Sequence, residues 1–354
     1  MKTFIIAEAG VNHNGSLETA KKLVDMAVDA GADAVKFQTF NAEKVVTTTA
    51  AKAKYQIENT GTDESQLEML KKLELPLSAH EELFSYCKEK GIVFISTPFD
   101  EESADMLDEL GISIFKIPSG EITDKPLIQH IASKRKPIIL STGMSYLGEV
   151  EKAIGWIKEV NESMSKWENE KTLIHSSTHP LIHPLTLLHC VSNYPAAVED
   201  TNLLAMKTME RAFGLPVGYS DHTLGIEISI ASVAMGAKVI EKHFTLDRDM
   251  EGPDHKTSLE PDELKAMVKA IRNIEKALGD GTKRPMESEA DMRNIARKSI
   301  VSARDIKAGE TITVNDILVK RPGVGIAPEL IEQVINKIAK INIKKDSLLK
   351  WDYF

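Results

Sequence analysis

Eight short apolar runs in the sequence are each followed at once by side chains that can bind an anion, a sugar or a metal ion. Two of these side chains are cations and several are hydroxyls, a combination that suits a ligand carrying both a phosphate and a carboxylate. The set comprises Lys36, Thr97, Lys116, Ser119, Ser192 and Ser220. A single lysine or serine after a strand is usually a solvated loop residue, and an ion pair with Glu8 is an alternative for Lys36. Eight such endings in one chain indicate a shared binding site.

Two histidines, His222 and His243, follow the seventh and eighth runs. Two imidazoles that leave positions open for water and a substrate oxygen suit a divalent transition metal. The alternative is a pair of hydrogen-bonded loop histidines. Glu8 and Glu241 end the first and eighth runs, and either carboxylate could position a metal-bound water or a substrate hydroxyl.

The apolar runs are short and mostly rich in Val, Ile or Phe, which is typical of buried parallel strands. They cover residues 4–7, 34–37, 93–95, 114–117, 137–140, 185–189, 215–219 and 238–240. Helical patterns lie between them, and glycines stand where the helices should end. Eight strand–helix units in about 280 residues predict an α/β fold of the (β/α)8 TIM-barrel type, with a doubly wound sheet as the alternative. Because a barrel builds its site at the carboxyl ends of its strands, it would gather these side chains together.

Two connections are longer than the others. Residues 41–75 are predicted to form a long loop after the second strand. Residues 161–184 contain three histidines at four-residue spacing, which could mark one face of a helix. Pro180 and Pro184 would break that helix, so a surface insertion is the better interpretation. The histidines concerned are His175, His179 and His183.

A change of composition near residues 279–285, rich in Gly and Pro, indicates a linker. We therefore predict a barrel domain over residues 1–280, a linker over 281–297 and a small domain over 298–354. The linker includes a charged segment that should be helical. Short β-like stretches follow it, among them residues 299–303, 311–314 and 341–343.

Composition excludes several classes of protein. The net charge of −9 argues against broad nucleic-acid binding. The two cysteines, Cys87 and Cys190, form no metal-type pair, which favours a reducing compartment. The first apolar run meets Glu8 too soon for a signal peptide, and no apolar stretch is long enough for a membrane span. We expect a cytoplasmic protein that binds neither nucleic acid nor membrane.

Nine ordered motifs, spread over nearly the whole chain, resemble the bacterial sialic acid synthase family, which includes N-acetylneuraminate and N,N'-diacetyllegionaminate synthases. In the barrel they are IAEAGVNHNG at 6–15, VKFQT at 35–39, STPFD at 96–100, KIPSGE at 116–121, STGM at 141–144, GYSDH at 218–222, EKHFT at 241–245 and GPDH at 252–255. KRPGVG at 320–325 resembles the signature of that family's C-terminal antifreeze-like (SAF, β-clip) domain.

The resemblance implies a transferase that condenses phosphoenolpyruvate with an N-acetylated mannosamine-type sugar and water, and releases phosphate. It implies a manganese-type ion at His222 and His243, for which Mg²⁺ or Co²⁺ can substitute. The candidate catalytic carboxylates are Glu8, Glu121 and Glu241. The candidate substrate-binding residues are Lys36, Gln38, Thr97, Lys116, Ser119, Ser192, Asn193, Tyr194, Ser220, Asp254 and Arg321. On the sixth strand, the choice between Ser192 and Asn193 as the phosphoenolpyruvate ligand stays open.

The resemblance also implies a domain-swapped homodimer, in which Arg321 of one small domain reaches the sugar site of the other subunit. N-acetylmannosamine is the first candidate acceptor, which makes N-acetylneuraminate the expected product. The alternative acceptor is 2,4-diacetamido-2,4,6-trideoxymannose, which would yield N,N'-diacetyllegionaminate. The motif KIPSGE at 116–121 argues against the pseudaminic acid synthase branch of this family. Two further alternatives are a Schiff-base pyruvate aldolase that uses Lys116 or Lys36, and a carbohydrate-binding protein without activity.

Overall fold

The computed structural model describes residues 2–61, 64–168 and 184–354. The chain forms two compact units, Met1–Gly279 and Asp280–Phe354. In the part of the chain described, no helix is long and apolar enough to cross a membrane.

Eight parallel strands build the first unit, and all eight predicted strands are present. They are β1 (Phe4–Gly10), β2 (Ala34–Thr39), β3 (Val93–Pro98), β4 (Phe115–Ile117), β5 (Ile138–Ser141), β6 (Leu185–Cys190), β7 (Val217–Asp221) and β8 (Val239–His243). The strands are ordered β3-β2-β1-β8-β7-β6-β5-β4, and β3 also lies against β4. The predicted (β/α)8 barrel is therefore confirmed.

Helices connect the strands of this barrel. They are α1 (Leu17–Ala30), α2 (Ala42–Val45), α3 (Lys54–Thr60), α4 (Gln66–Leu73), α5 (Leu77–Lys90), α6 (Glu101–Leu110), α7 (Lys125–Ser133), α8 (Leu147–Glu168), α9 (Leu204–Phe213), α10 (Glu227–Ala234) and α11 (Pro261–Ala277). The residues at the ends of α1 are typical helix caps. The Ser16 side chain accepts a hydrogen bond from the Thr19 backbone N–H at the start of the helix, and Gly31 ends it in the left-handed conformation.

Side chains alternate between the two faces of a strand, so every second residue points into the barrel. Along these inward positions the barrel interior changes from apolar to polar. Its buried apolar layer consists of Phe4, Ile6, Ala34, Ile95, Ile114, Ile139, Leu188 and Val239. Two residues beyond this layer, or beyond Gly218 on β7, the inward position holds Glu8, Lys36, Thr97, Lys116, Ser141, Cys190, Ser220 or Glu241. The carboxyl end of the barrel is thus a polar ring above an apolar floor.

The two long connections differ from expectation. Residues 41–75 form the three short helices α2, α3 and α4 instead of a loop, and α4 begins with a capping box between Ser65 and Glu68. The first part of the predicted insertion, residues 161–168, continues α8. His175, His179 and His183 lie outside the described residues.

The second unit is small and has its own apolar core. It contains α12 (Ala290–Ala296), β9 (Ser299–Ser302), β10 (Ile317–Lys320) and α13 (Ile331–Val334), and β9 pairs with β10 in antiparallel fashion. Its buried core includes Ile300, Ile306, Ile312, Ile317, Val334 and Leu349. The β-like stretch predicted at 311–314 is wrong as a strand: Thr311 makes one isolated bridge to Ile338, and a 3-10 turn begins at Val314.

Candidate active site

The polar ring contains a cluster of two lysines and two carboxylates. Lys36 Nζ lies 2.8 Å from Glu8 Oε2 and 3.7 Å from Glu241 Oε2, and it donates a hydrogen bond of 3.2 Å to Thr97 Oγ1. Lys116 Nζ lies 3.5 Å from Glu241 Oε1, which also accepts a hydrogen bond of 2.9 Å from Ser220 Oγ. The ion pair considered as the alternative for Lys36 therefore forms within the site itself.

Burial and mutual attraction set the charges of this cluster. Burial raises the pKa of Glu8 to about 7, although Lys36 pulls it down. Burial also opposes the charge of Glu241, but Lys116 and Lys36 outweigh it and hold the pKa of that carboxyl below its ordinary value. Burial lowers the pKa of Lys116. Glu8 can therefore exchange a proton near neutral pH, while Glu241 stays ionised.

His222 and His243 lie side by side, with ring centroids 5.6 Å apart. Burial lowers the pKa of His222 to about 4 and that of His243 well below the ordinary value for histidine. Both imidazoles are therefore neutral, which is the form that binds metals.

These histidines fit a divalent metal ion. His222 Nδ1 lies 2.6 Å from the Val191 carbonyl oxygen, so Nδ1 carries the proton and the lone pair is on Nε2. That lone pair accepts a hydrogen bond from the Tyr194 hydroxyl, which a metal ion would displace. The buried Nδ1 of His243 finds no hydrogen-bond partner among the described residues. No group of three or more His, Cys, Asp or Glu residues suited to a metal occurs in residues 2–61, 64–168 and 184–354. Two imidazoles completed by water and substrate oxygens would suit such an ion.

An aromatic stack flanks the histidines. Tyr194 stacks on His222 with ring centroids 4.0 Å apart, and its hydroxyl lies 2.8 Å from His222 Nε2. Tyr55, from α3, stacks on the other side of Tyr194 at 5.2 Å. Burial raises the pKa of Asp254 to about 6. Burial, and to a smaller extent Asp254, raises the pKa of Tyr55. The stack and Asp254 form an amphipathic wall of the kind that binds sugars.

A second group of hydroxyls converges around Gly143, which follows β5. A Cβ atom at this glycine would lie 2.3 Å from Ser192 Oγ, 2.7 Å from Cys190 Sγ and 2.8 Å from Ser119 Oγ. The Gly143 backbone N–H donates to Ser119 Oγ at 2.9 Å. Ser192 Oγ is buried and has no partner within the described part of the chain, whereas Asn193 is exposed. Convergent N–H and O–H groups of this kind suit an anion.

The remaining predicted residues differ in position. Gln38 joins the cluster: a Cβ at Gly10 would lie 3.3 Å from Glu8 Oε1, 3.4 Å from His243 Cε1 and 3.5 Å from Gln38 Nε2. Glu121 is half-buried on the 3-10 turn after β4, and burial raises its pKa. Arg321 is exposed in the second unit, where it lines a cavity of about 550 Å³.

Three residues of the site were given no site role in the sequence-based prediction. Ser141 ends β5 facing inward, and its buried hydroxyl lacks a partner in the described structure. Cys190 Sγ lies 3.1 Å from Ser119 Oγ. The inward strand period could have found both residues. Tyr55 reaches the site from a distant helix, which no local pattern shows.

Comparison with known proteins agrees with this fold. Residues 23–283 match the NeuB family and residues 297–354 match the SAF domain. The N,N'-diacetyllegionaminic acid synthase of Campylobacter jejuni is 52% identical, over 99% of this chain and 99% of that protein. The enzyme of the same name from Legionella pneumophila is 47% identical, over 100% of this chain and 95% of that protein.

A solved structure points to the same group. The crystal structure of N-acetylneuraminic acid synthetase from Leptospira borgpetersenii superposes with a TM-score of 0.68 at 36% identity, covering 82% of this chain and 90% of that chain. The two family matches together cover most of the sequence, and the relatives match along almost their full length. The chain is therefore an enzyme of the NeuB family, with a TIM barrel followed by a SAF domain.

Proposed function

We propose that the protein condenses phosphoenolpyruvate with 2,4-diacetamido-2,4,6-trideoxymannose and water, giving N,N'-diacetyllegionaminate and phosphate. The reaction class rests on one observation: two lysines, two carboxylates and two neutral histidines share one buried barrel mouth. The acceptor rests on the two diacetyllegionaminic acid synthases at 52% and 47% identity, against 36% for the N-acetylneuraminic acid synthetase. N-acetylmannosamine, the acceptor first expected from the sequence, becomes the second candidate.

The charged and hydroxyl groups of the polar ring are proposed to bind the phosphate and the carboxylate of phosphoenolpyruvate. Lys36 and Lys116 supply the positive charge, and Thr97, Ser119, Ser141, Ser192 and Ser220 supply hydroxyl donors. Ser192 is the better candidate than Asn193 because its buried hydroxyl faces the other donors. Binding phosphoenolpyruvate would satisfy hydroxyls that are otherwise buried without partners.

His222 and His243 would hold the metal ion, with Mn²⁺ as first candidate and Mg²⁺ or Co²⁺ as substitutes. The bound ion would act as a Lewis acid that polarises the aldehyde oxygen of the sugar. Tyr194, Gln38, Asp254, Glu121 and, from the other subunit, Arg321 are proposed to orient the sugar. Holding both reactants turns their encounter into an effectively unimolecular step.

The reaction then forms a carbon–carbon bond and a bond from C2 to a water oxygen, and it breaks the bond from C2 to the phosphate oxygen. Lys36 and Lys116 hold phosphoenolpyruvate so that its C3 adds to the aldehyde carbon of the sugar. Glu241, which stays ionised, stabilises the positive charge that develops at C2. Glu8, with a pKa of about 7, takes a proton from the water that adds to C2. The tetrahedral centre then collapses to the ketone: its C2 hydroxyl passes its proton to the departing phosphate as the bond between C2 and the phosphate oxygen breaks. The proton held by Glu8 goes to the sugar oxygen that was the aldehyde oxygen, which becomes a hydroxyl.

Product analysis with both acceptor sugars tests this proposal. The enzyme with Mn²⁺ and phosphoenolpyruvate should release phosphate and form diacetyllegionaminate with a kcat/KM at least about tenfold above that for N-acetylmannosamine, equivalent to 1.4 kcal/mol. A preference for N-acetylmannosamine would overturn the acceptor. Borohydride should trap no pyruvate adduct on Lys116 or Lys36; a trapped adduct would favour the aldolase alternative.

The quaternary structure and location belong to the same proposal. The resemblance supports a homodimer in which the second unit of each subunit serves the barrel of the other. The exposed guanidinium of Arg321 supports its proposed reach to a sugar in trans. The cytoplasmic location and the absence of nucleic-acid partners stay predictions.

A further inference from the structure

A fully buried ion pair lies on the outer face of the barrel, directly behind the two histidines. Lys242 Nζ is 3.0 Å from Asp221 Oδ2, and the two side chains are 1% and 0% exposed. Asp221 on β7 is opposite Lys242 on β8 in the strand register. Side chains alternate across a strand, so this pair points toward the helices while His222 and His243, one residue further on, point inward.

Asp221 also fixes the backbone that follows His222. Its Oδ1 accepts hydrogen bonds from the Thr223 backbone N–H at 2.9 Å and from Thr223 Oγ1 at 2.7 Å. Its Oδ2 accepts a further bond of 2.6 Å from Ser229 Oγ on α10. Lys242 Nζ donates to the Thr223 carbonyl oxygen. The residues on both sides of His222 are therefore tied to the strand that carries His243.

The stability of the fold gives no sufficient reason for such a pair. Removing two charges from water is costly, and apolar residues of similar size often replace a buried ion pair without loss of stability. What an apolar pair could not reproduce is the set of directional bonds at Thr223. These bonds fix where His222 stands relative to His243.

We propose that Asp221 and Lys242 are positioning residues, which hold His222 and His243 at the separation that the metal ion requires. Neither touches substrate or metal: both act through the histidine that follows them. The inference rests on the proposed function, because it takes the two histidines as the metal ligands. Partners that orient metal ligands typically change metal affinity by about 10–100-fold when they are lost.

Direct Mn²⁺ binding, measured from the electron paramagnetic resonance signal of the free ion, tests this inference without relying on turnover. The variants are Asp221→Asn, Lys242→Met and the double variant, in which no buried charge remains unpaired. The single variants should lose thermal stability, and the double variant should regain most of it. All three should weaken the Kd for Mn²⁺ at least about tenfold. Should they fail to fold, Thr223→Val provides a milder loss of one bond to Asp221.

Asp33→Asn is the matched control. It breaks an ion pair with Arg272, 2.6 Å long, at the amino end of β2, whereas the histidines lie at the carboxyl ends of β7 and β8. This variant should lose stability and bind Mn²⁺ as tightly as the wild type. If the double variant bound Mn²⁺ with wild-type affinity, the positioning role would be wrong, while the metal site of the proposed function would still stand. Failure of the wild type to bind Mn²⁺, or binding that survives His222→Ala, would instead contradict the metal site of the proposed function and the inference with it.

Discussion

At Gly143 the site leaves no room for a side chain. A methyl group there would lie within 3 Å of Ser192 Oγ, Cys190 Sγ and Ser119 Oγ. Overpacking of this kind costs about 1–3 kcal/mol. Gly143→Ala should therefore raise the KM for phosphoenolpyruvate by roughly 5- to 150-fold and leave the KM for the sugar nearly unchanged. Steady-state kinetics with each substrate varied in turn would measure both.

Gly148→Ala is the control for this prediction. It lies five residues away, at the start of α8, and a Cβ there would have no described atom within 4 Å. Its kinetics should match those of the wild type. If Gly143→Ala altered only the sugar KM, the hydroxyls around Gly143 would not be the phosphoenolpyruvate site.

Individual residues of the site differ in how far the sequence alone could predict them. Lys36, Thr97 and Lys116 were predictable because each is the inward residue two positions beyond the apolar layer of its strand. Ser220 was predictable from its place after the apolar run of β7, where the position two residues earlier is Gly218. Ser141 obeys the same rule and lies in the STGM motif at 141–144, but the sequence-based prediction gave it no role as a ligand. The pKa of about 7 for Glu8 depends on burial and on Lys36 and Glu241, and so needed the assembled barrel.

The connection between β8 and α11 carries Asp254 and is held by hydrogen bonds from Asn12 and Asn59. Asn12 Nδ2 donates to the Phe244 carbonyl oxygen at 2.8 Å and to Ser258 Oγ at 2.9 Å, and Asn59 Nδ2 donates to the Pro253 carbonyl oxygen at 2.6 Å. These bonds fix the connection that carries Asp254, and burial of its carboxyl raises the pKa to about 6.

This burial makes a prediction about stability and pH. Between pH 4 and 6 the folded protein keeps a proton on Asp254 that the unfolded chain has lost, so stability falls as the pH rises through this window. Asp254→Asn removes the effect. Its stability relative to the wild type should increase by up to about 3 kcal/mol from pH 4 to pH 7.5. Thermal unfolding of both proteins across this range would measure it, and the exposed Asp249→Asn is the control. A relative stability independent of pH would contradict the buried, protonated state.

Among the elements, strands were predicted better than connections. The eight strands followed from runs of buried apolar residues, a signal contained within each strand. Helices α2 to α4 were missed because they are short and depend on local caps, such as Ser65 with Glu68, and on contacts with the barrel. The β10 strand at Ile317–Lys320 was missed because it is exposed on alternate residues and is defined by its partner β9.

In the whole molecule, each proposed active site uses residues from two subunits. A guanidinium can donate two hydrogen bonds in a fixed fork, which suits an amide oxygen or sugar hydroxyls. Mixing Arg321→Ala subunits with His222→Ala subunits should therefore restore one intact site in each mixed dimer. With random exchange, half of the dimers are mixed, and activity should recover to roughly a quarter of the wild-type value. Mass spectrometry would verify the mixed dimers; no recovery in their presence would mean that Arg321 does not act in trans.

The central claim, that the enzyme joins C3 of intact phosphoenolpyruvate to the sugar and then breaks the bond between C2 and the phosphate oxygen, has one direct test. Phosphoenolpyruvate labelled with ¹⁸O in that bridging position is converted with 2,4-diacetamido-2,4,6-trideoxymannose in unlabelled water, and the phosphate is analysed by mass spectrometry. Because water adds at C2 and the bridging oxygen leaves with phosphorus, the account predicts that the phosphate carries the label. Unlabelled phosphate would show that the phosphorus–oxygen bond breaks first, as in a route through free pyruvate, and would contradict the account.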